Sequence, residues 1–272
     1  MQQLQKSKTD YLTFPFIKDG LPLSSDSNPL CAMTVRSAGS MRFRWAEENP
    51  NRDKVLASIS SDFGNKAFVP IQLDHTHIVY DIQNTLDTDQ KIGDGIITLN
   101  KALIPTVTVA DCLPIYLYDS VSKAFGIVHS GWKGTGIICK AIELAGQKYG
   151  SKVRDFSVVI GPHIHECCYI VNQERADFFA SNFGPECLKE LEEGVQVDWN
   201  NGGGKLFRLS LAQANLSALL KLGVKKENIF ISKDCTCCSK DGFYGSNRRE
   251  TKLAGRPDAF TVQAAFIAWK YQ

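Results

Sequence analysis

The 272-residue chain has no long hydrophobic run. No stretch approaches the roughly 18 consecutive apolar residues that a membrane-spanning helix needs. The N-terminal segment MQQLQKSKTDYLTFPF also has no apolar core of the kind that a secretory signal requires. The sequence therefore predicts a cytoplasmic protein without a membrane partner.

An excess of charge of one sign is also missing, because 31 basic residues face 29 acidic ones and the formal net charge is +2. Proteins that bind nucleic acids usually carry a basic stripe or an aromatic platform, and neither stands out in this chain. We therefore expect no nucleic-acid partner. No stripe typical of a subunit interface is visible either, so the oligomeric state stays open.

The nine cysteines do not form an even set, and two pairs are adjacent in sequence, Cys167–Cys168 and Cys237–Cys238. Adjacent cysteines seldom bridge each other, because the intervening peptide would be strained. Free thiols in a reducing compartment are therefore predicted. The run Asp234-Cys-Thr-Cys-Cys238 suggests a structural zinc site, but no second CxxC with suitable spacing follows it, which makes this a minor alternative.

Strand-like and helix-like segments follow one another irregularly. Apolar and β-branched runs predict strands at Leu30–Val35, Ala67–Leu73, Ile78–Ile82, Leu113–Tyr118, Ala124–His129, Ser157–Ile160, Asn228–Ser232 and Phe260–Trp269. Helical periodicity predicts helices at Gly134–Tyr149 and Leu211–Leu222, and a shorter one from Asn172 to Phe179. Without regular βαβ alternation, this order favours an α+β fold over a doubly wound sheet.

No convincing linker divides the chain, so the sequence predicts a single catalytic domain over residues 26–272. Residues 1–25 are polar and rich in turn-forming residues, and they are expected to form a loose N-terminal lead-in. The segment Phe183–Gly204 ends in Asn-Asn-Gly-Gly-Gly and is expected to form an exposed insertion.

Three side chains in separate segments belong to the types that bind transition metals: His75, Cys112 and His129. Cys112 follows a strand-like run and precedes Pro114, and His129 ends a strand before a glycine-bounded turn. Zinc accepts thiolate and imidazole, and catalytic zinc sites commonly use three protein ligands and one open position. The separations match no local metal-binding motif, so a buried Cys112 and a core His129 are the alternative interpretation of the residues alone.

Several short stretches follow one another in an order typical of one protein family. They are Asp94-Gly-Ile-Ile-Thr98, Ala110-Asp-Cys-Leu-Pro-Ile115, Val128-His-Ser-Gly-Trp-Lys-Gly-Thr135, Ile160-Gly-Pro-His-Ile164, Cys168-Tyr169, Cys235-Thr236, Ser246-Asn-Arg-Arg249 and Gly255-Arg256. Through them the chain resembles the YfiH/LACC1 family of laccase-domain proteins, also called polyphenol oxidases and described as purine nucleoside phosphorylases.

The resemblance implies a CNF1/YfiH-like fold, that is, a single layered α/β/β/α-type domain with mixed sheets. It also implies zinc, with copper as the alternative, bound by two histidines and one cysteine. Cys112 and His129 fall on two of these positions, and the spacing to Val79 favours His75 over His77 for the third.

The activity implied by the resemblance is phosphorolysis of adenosine, inosine and methylthioadenosine, together with adenosine deamination, so the partners are a small nucleoside and phosphate. Guanidinium groups bind oxyanions with two parallel hydrogen bonds. The cations predicted to bind phosphate are Lys133, Arg248, Arg249 and Arg256. The residues predicted to be catalytic are Cys112, His129 and Arg249, whereas Asp111 is predicted to point to the opposite strand face and to act as a structural hydrogen-bonder.

Other functions remain open on the sequence. Cys112 and His129 could act as nucleophile and base of a cysteine hydrolase or amidase of the peptidoglycan-editing type, which would survive chelation. A copper phenol oxidase is less favoured, because five histidines leave no second histidine-rich copper cluster. A non-enzymatic binding module would hold metal without turning over any nucleoside.

Overall fold

The structure is a computed structural model that describes residues 10–192, 194, 197 and 204–270. The helices of these residues are α1 (Pro50–Asp62), α2 (Ile137–Tyr149), α3 (Gln173–Phe183), α4 (Leu211–Leu222) and α5 (Asn247–Ala254). The strands are β1 (Tyr11–Phe14), β2 (Ile17–Lys18), β3 (Leu21–Pro22), β4 (Leu30–Thr34), β5 (Ala67–Pro70), β6 (Val79–Asp81), β7 (Gly95–Thr98), β8 (Leu103–Val109), β9 (Leu113–Asp119), β10 (Phe125–Ser130), β11 (Phe156–Ile160), β12 (Ile170–Asn172), β13 (Leu188–Glu190), β14 (Leu206–Leu209), β15 (Ile229–Ile231) and β16 (Gln263–Ala268).

Two large mixed sheets form the centre of the molecule. One has five strands in the order β1-β4-β16-β8-β5, and the other has six in the order β15-β11-β9-β10-β7-β6. Each contains antiparallel and parallel pairs, for example β9 with β10 antiparallel and β11 with β15 parallel. The predicted α+β class with mixed sheets is therefore confirmed. The chain passes directly from one sheet to the other between β8 and β9.

Apolar side chains pack on both faces of the six-stranded sheet. On β9, Leu113 and Leu117 face α2 and α4, whereas Tyr116 packs against the five-stranded sheet. Helix α1 packs on the outer face of the five-stranded sheet, where Ile59 and Phe266 belong to the same apolar cluster. The layers are thus helices, six-stranded sheet, five-stranded sheet and helix, which confirms the predicted α/β/β/α arrangement. Alternation along β9 fills both layers because neighbouring strand residues point to opposite faces.

The strongest helix predictions are confirmed, with small shifts at the ends. Helix α4 begins and ends as predicted, because Ser210 Oγ accepts the backbone N–H of Gln213 and Gly223 ends the helix with a left-handed φ of 102°. Helix α2 begins later than predicted, at Ile137, because Gly136 has a left-handed φ of 88°. Helix α3 follows Asn172 as predicted and extends to Phe183. Each of the predicted strands is also present.

Two helices, α1 and α5, were not predicted from the sequence. Both are polar, so hydrophobic periodicity does not reveal them. Their start signals are nevertheless present, because Asn49 Oδ1 accepts the N–H of Arg52 at α1 and Ser246 Oγ accepts the N–H of Arg249 at α5.

The prediction of a loose lead-in is wrong for the described part of residues 1–25. Strand β1 pairs with β4, with Tyr11 opposite Thr34, and the side chains of Phe14 and Phe16 are buried. These aromatic rings stabilise the segment by burial in the core, which outweighs its polar composition. Residues 1–9 lie outside the described residues.

The prediction of an exposed insertion is confirmed only in part for residues 183–190, because Pro185, Glu186, Lys189 and Glu190 are exposed but the segment is anchored to the fold. Cys187 is buried, and β13 pairs with β14 in a three-stranded sheet with β12. Residues 193, 195, 196 and 198–203 lie outside the described part. Across the described residues, none of the helices is both long and apolar enough to span a membrane.

Candidate metal and active site

Strand register brings Cys112 and His129 together. Strands β9 and β10 form an antiparallel pair in which Leu113 lies opposite Ser130 and Pro114 opposite His129. Because Cys112 immediately precedes β9, it lies beside the end of β10, far from His129 in sequence but close in space. Both residues line the same cavity.

A buried carboxylate, Asp94, joins two of the predicted ligands. It precedes β7, which is the neighbour of β10 in the sheet. Asp94 Oδ1 accepts a hydrogen bond from His129 Nδ1 at 3.2 Å and from the backbone N–H of His75 at 2.8 Å. Asp94 Oδ2 accepts the backbone N–H of Thr76 at 2.7 Å. One carboxylate therefore orients the ring of His129 and fixes the backbone at His75, a function that the sequence did not reveal.

Charge and burial compete in this group of residues. Burial disfavours the imidazolium of His129, but the Cys112 sulfur and the Asp94 carboxylate outweigh it and raise the pKa of His129 to about 9. Burial likewise disfavours the carboxylate of Asp94. Hydrogen bonds from the His129 side chain and from the backbone outweigh that effect and hold the pKa of Asp94 below its ordinary value.

His75 adopts a left-handed backbone conformation with a φ of 61°. This conformation is uncommon for residues other than glycine. The ring centroid of His75 is 5.1 Å from that of His129, and the possible ligand atoms of His75, Asp94 and His129 lie within 4.8 Å of one another. His77 Nε2 instead lies 3.2 Å from the carbonyl oxygen of Thr135. The structure therefore places His75, and not His77, beside His129.

The donor atoms of Cys112 and His129 face the same small space next to Gly131. A Cβ atom added to Gly131 would lie 3.1 Å from Cys112 Sγ, 3.5 Å from His129 Cε1 and 3.9 Å from His129 Nε2. Since Nδ1 of His129 is engaged by Asp94, Nε2 is the nitrogen left for a ligand. Zinc and copper both accept thiolate and imidazole, and a carboxylate behind a ligating histidine is common in such sites. The residues therefore fit a bound metal ion.

The cavity around this group has a volume of about 710 Å³, within the usual range for small-molecule sites. Its aromatic lining consists of Phe43, Trp132, Tyr169 and Phe260. Its cationic lining consists of Arg42, Arg44 and Arg248. The guanidinium of Arg42 lies 5.2 Å from the ring centroid of Phe260, and that of Arg248 lies 5.9 Å from the ring centroid of Tyr169. The cavity thus combines flat apolar faces with positive charge.

Arg249, predicted to be catalytic, does not line this cavity. Its Nη1 donates to the carbonyl oxygens of Thr236 at 2.7 Å and Cys237 at 3.0 Å, and its Nη2 donates to the carbonyl oxygen of Tyr244 and to Glu250. The guanidinium is therefore occupied by the protein itself. Arg249 holds the loop before α5, a position that suits neither the predicted catalytic function nor the predicted binding of phosphate.

The two other predicted phosphate ligands do not line the cavity either. Arg256 is exposed and belongs with Arg248 to a shallow groove at the end of α5. Lys133 is exposed, and its Nζ lies 5.5 Å from the ring centroid of Trp132. Arg248 is thus the predicted cation that does line the cavity. Arg42 and Arg44 were missed, although the alternation Arg42-Phe43-Arg44 carries a signal of basic and aromatic residues.

Asp111 has a structural function, as the sequence predicts. Its Oδ1 accepts the hydroxyl of Thr236 at 2.7 Å, and its Oδ2 accepts the hydroxyl of Ser246 at 3.0 Å and the backbone N–H of Arg248 at 2.6 Å. Strand alternation is not the reason, because Asp111 lies in the turn between β8 and β9 with a φ of 81°. The turn ties Cys112 to the start of α5.

Comparison with known proteins identifies the family of the chain. A family model described as multi-copper polyphenol oxidoreductase laccase matches residues 46–264. Several curated relatives are named purine nucleoside phosphorylase. The one from Borreliella burgdorferi is 32% identical over 179 residues, which cover 65% of this chain and 73% of the relative. Adenosine deaminase RL5, from an unknown prokaryotic organism, is 31% identical over 157 residues, which cover 57% of this chain and 56% of the relative.

The fold is similar to that of solved structures of proteins named YfiH and YlmD. The hypothetical protein YfiH of Bacillus licheniformis superimposes with a TM-score of 0.79 at 22% identity, and the match covers 99% of this chain and 100% of that one. The family model spans most of the chain, and the ligand atoms of His75, Asp94 and His129 form a group suited to metal binding. The chain therefore belongs to the multi-copper polyphenol oxidoreductase laccase family, in which this protein resembles relatives named purine nucleoside phosphorylase.

Proposed function

We propose that the chain is a zinc-dependent purine nucleoside phosphorylase that acts on adenosine, inosine and methylthioadenosine and also deaminates adenosine. One observation carries the proposal: a single cavity of about 710 Å³ is lined by His75, Cys112 and His129 together with aromatic rings and three arginines. The names of the relatives favour this function over a cysteine hydrolase.

Phosphorolysis requires an anion held beside the sugar. A phosphate oxygen forms a bond to C1′ of the ribose, the bond from C1′ to the purine nitrogen breaks, and its electron pair leaves with the base, which takes up a proton. Arg42 and Arg248 offer guanidinium donors for the phosphate. Asp111 is a carboxylate of the lining, but both of its oxygens already accept hydrogen bonds. The cavity therefore favours an anion.

The purine base needs a flat apolar surface. Phe43, Trp132, Tyr169 and Phe260 supply such surfaces, and aromatic rings stack on purines of any substitution pattern. The guanidinium of Arg175 lies 4.1 Å from the ring centroid of Trp132, and Arg175 Nη1 donates to the hydroxyl of Tyr169 at 3.5 Å. Arg175 therefore holds two of these rings in place from outside the cavity lining.

The metal would be held by His75, Cys112 as thiolate, and His129. When bound in such a three-ligand site, zinc supplies a water made nucleophilic near neutral pH, which suits deamination. Asp94 fixes the His129 ring so that Nε2 faces the Cys112 sulfur. The same carboxylate fixes the backbone of the loop that carries His75. The chain thus orients the ligands before the metal arrives.

A phosphate-dependence assay tests the proposal. Purified protein is incubated with adenosine, inosine or methylthioadenosine, with and without phosphate. We expect free base and a ribose 1-phosphate product only with phosphate, and inosine from adenosine even without it. Chelation should stop both reactions and zinc should restore them. Turnover that survives chelation but not thiol alkylation would point instead to a cysteine hydrolase, and restoration by copper alone would overturn the assignment of zinc.

The adjacent residues Arg248 and Arg249 allow a matched test of the phosphate site. Arg248→Ala should raise the KM for phosphate by about tenfold to a hundredfold, the loss expected for one charge-assisted contact. Arg249→Ala should leave that KM nearly unchanged but lower the free energy of unfolding by about 2–4 kcal/mol, because three backbone carbonyls lose their donor. Initial rates at varied phosphate and urea denaturation measure the two effects. A raised phosphate KM in Arg249→Ala at unchanged stability would reverse the assignment.

A further inference from the structure

Four cysteines form a second cluster that the proposed reaction does not use. The Sγ atoms of Cys167, Cys168, Cys235 and Cys238 all lie within 4.8 Å of one another. Cys167 Sγ is 3.7 Å from the Sγ atoms of both Cys168 and Cys238. All nine cysteines of the chain are free thiols. We propose that these four side chains bind one zinc ion tetrahedrally, at a site separate from the cavity.

The spacing of the sulfur atoms matches a single metal ion. Zinc–sulfur bonds are about 2.3 Å long, so the edges of a regular four-thiolate tetrahedron measure about 3.8 Å. The Sγ atom of Cys167 lies 3.7 Å from that of Cys168 and 3.7 Å from that of Cys238. An iron–sulfur cluster would hold its cysteines further apart, because several irons and sulfides lie between them. The geometry therefore suits a mononuclear ion.

The two halves of the cluster are joined by the parallel pair β11 and β15. Ile160 lies opposite Ile231, and the chains continue side by side to an isolated bridge between His163 and Cys235. The N–H of Thr236 donates to the carbonyl of His163 at 2.9 Å. The strand pairing therefore places the adjacent pair Cys167–Cys168 beside the CxxC formed by Cys235 and Cys238. A four-cysteine zinc site needs a second pair of ligands, and Cys167–Cys168 provides that pair although it is not a second CxxC.

Hydrogen bonds fix both segments in advance. The backbone N–H of His165 donates to Cys235 Sγ at 3.4 Å, an arrangement that favours a thiolate. The guanidinium of Arg208 donates to the carbonyl oxygens of Glu166 at 3.2 Å and Cys167 at 2.6 Å. Arg208 therefore holds the adjacent cysteines in place and puts a positive charge next to a site that carries excess negative charge when zinc is bound. Four soft thiolates in a tetrahedron select zinc or iron.

The cluster is connected to the cavity. Thr236 lies between Cys235 and Cys237, and its hydroxyl donates to Asp111, the neighbour of Cys112. Tyr169, which follows Cys168 directly, lines the cavity. A zinc ion at the cluster would therefore cross-link two segments that support the wall of the cavity. Loss of this zinc ion is expected to lower the unfolding temperature more than it weakens substrate binding.

The first experiment leaves the cluster intact. In Cys112→Ala, which lacks a ligand of the proposed catalytic site, we expect about one zinc ion per chain, with only sulfur in its first coordination shell by X-ray absorption. Absence of zinc from this variant would overturn the cluster. A single zinc ion per chain with mixed nitrogen and sulfur ligands would also overturn it. Two zinc ions per chain would contradict Cys112 as a ligand and leave the cluster standing, so the two proposals fail separately.

The second experiment removes the cluster. The double variant Cys167→Ser/Cys238→Ser, loaded with cobalt(II), should lose the absorption bands of a four-thiolate tetrahedral site, and its zinc content should fall by about one ion per chain. Cys237→Ser is the matched control, because Cys237 lies in the same loop but outside the group of four. It should keep the bands. The proposal would be overturned if the bands were lost in the control alone. It would also be overturned if the wild-type cluster held a disulfide in place of metal, or one iron ion instead of zinc.

Discussion

Cys112→Ala should lose the metal of the cavity and lower phosphate-dependent nucleoside cleavage at least about a hundredfold. Removal of supporting partners around a metal ligand already costs tenfold to a hundredfold in metal affinity or activity, and loss of the ligand itself should cost more. The sulfur faces the same space as His129 Nε2, so its removal takes one of the three proposed ligands from this space. Metal analysis and a phosphate-dependent adenosine assay, made on one preparation, measure both losses.

A suitable control is Cys31→Ala. Cys31 is a fully buried thiol on β4, where it packs in the core between the sheets and does not line the cavity. Its replacement should lower the unfolding temperature while the metal content and turnover per folded chain stay at the wild-type level. Full turnover in Cys112→Ala would remove the metal-dependent mechanism altogether.

Asp94→Asn should weaken metal binding in the cavity by about tenfold to a hundredfold, although Asp94 need not touch the metal. An amide keeps the shape of the carboxylate but has only one oxygen to accept hydrogen bonds. Its NH₂ group is itself a donor and would face other donors. The N–H groups of His75 and Thr76 and the Nδ1 of His129 all need an acceptor at this position. The ring of His129 and the loop of His75 therefore lose their fixed orientation. Competition with a chromogenic chelator measures the change in zinc affinity.

Asp119→Asn separates this effect from a general loss of stability. Asp119 is also buried and accepts the N–H of Val121 at 2.7 Å and the hydroxyl of Ser122 at 2.6 Å. It lies at the far end of β9 from Cys112. We expect this variant to be destabilised by about 1–3 kcal/mol with unchanged zinc affinity. Equal loss of affinity in both variants would show that Asp94 acts only through stability.

The residue pattern predicts the α+β class, and the family resemblance implies the layers and the three proposed ligands, but neither indicates how the ligands are oriented. Strands β9 and β10 are readable as apolar runs, so their pairing brings Cys112 towards His129. Asp94 stands in one of the stretches typical of the family, but the sequence does not indicate its function, which depends on its burial and on the hydrogen bonds that it accepts from the His75 backbone and the His129 ring. Such contacts depend on the position of β7 in the sheet, which periodicity does not determine.

The error at Arg249 has a simple geometric cause. Arg248 and Arg249 are consecutive on α5, and successive residues on a helix point about 100° apart. Only one of them can face the cavity. Because α5 is polar and hydrophobic periodicity does not reveal it, the sequence does not distinguish the two arginines. The four cysteines are likewise not recognisable as one group from the sequence, since the pairing of β11 with β15 joins segments far apart in the chain.

The direct passage from β8 to β9 has a consequence for folding. Cys112 lies on this passage, where the chain leaves the five-stranded sheet and enters the six-stranded one. An ion bound by Cys112 and His129, as proposed, would be bonded both to the connection between the two halves of the core and to a strand inside one of them. Its binding would then favour the assembled core, so free ion in excess of its dissociation constant would shift the folding equilibrium by mass action.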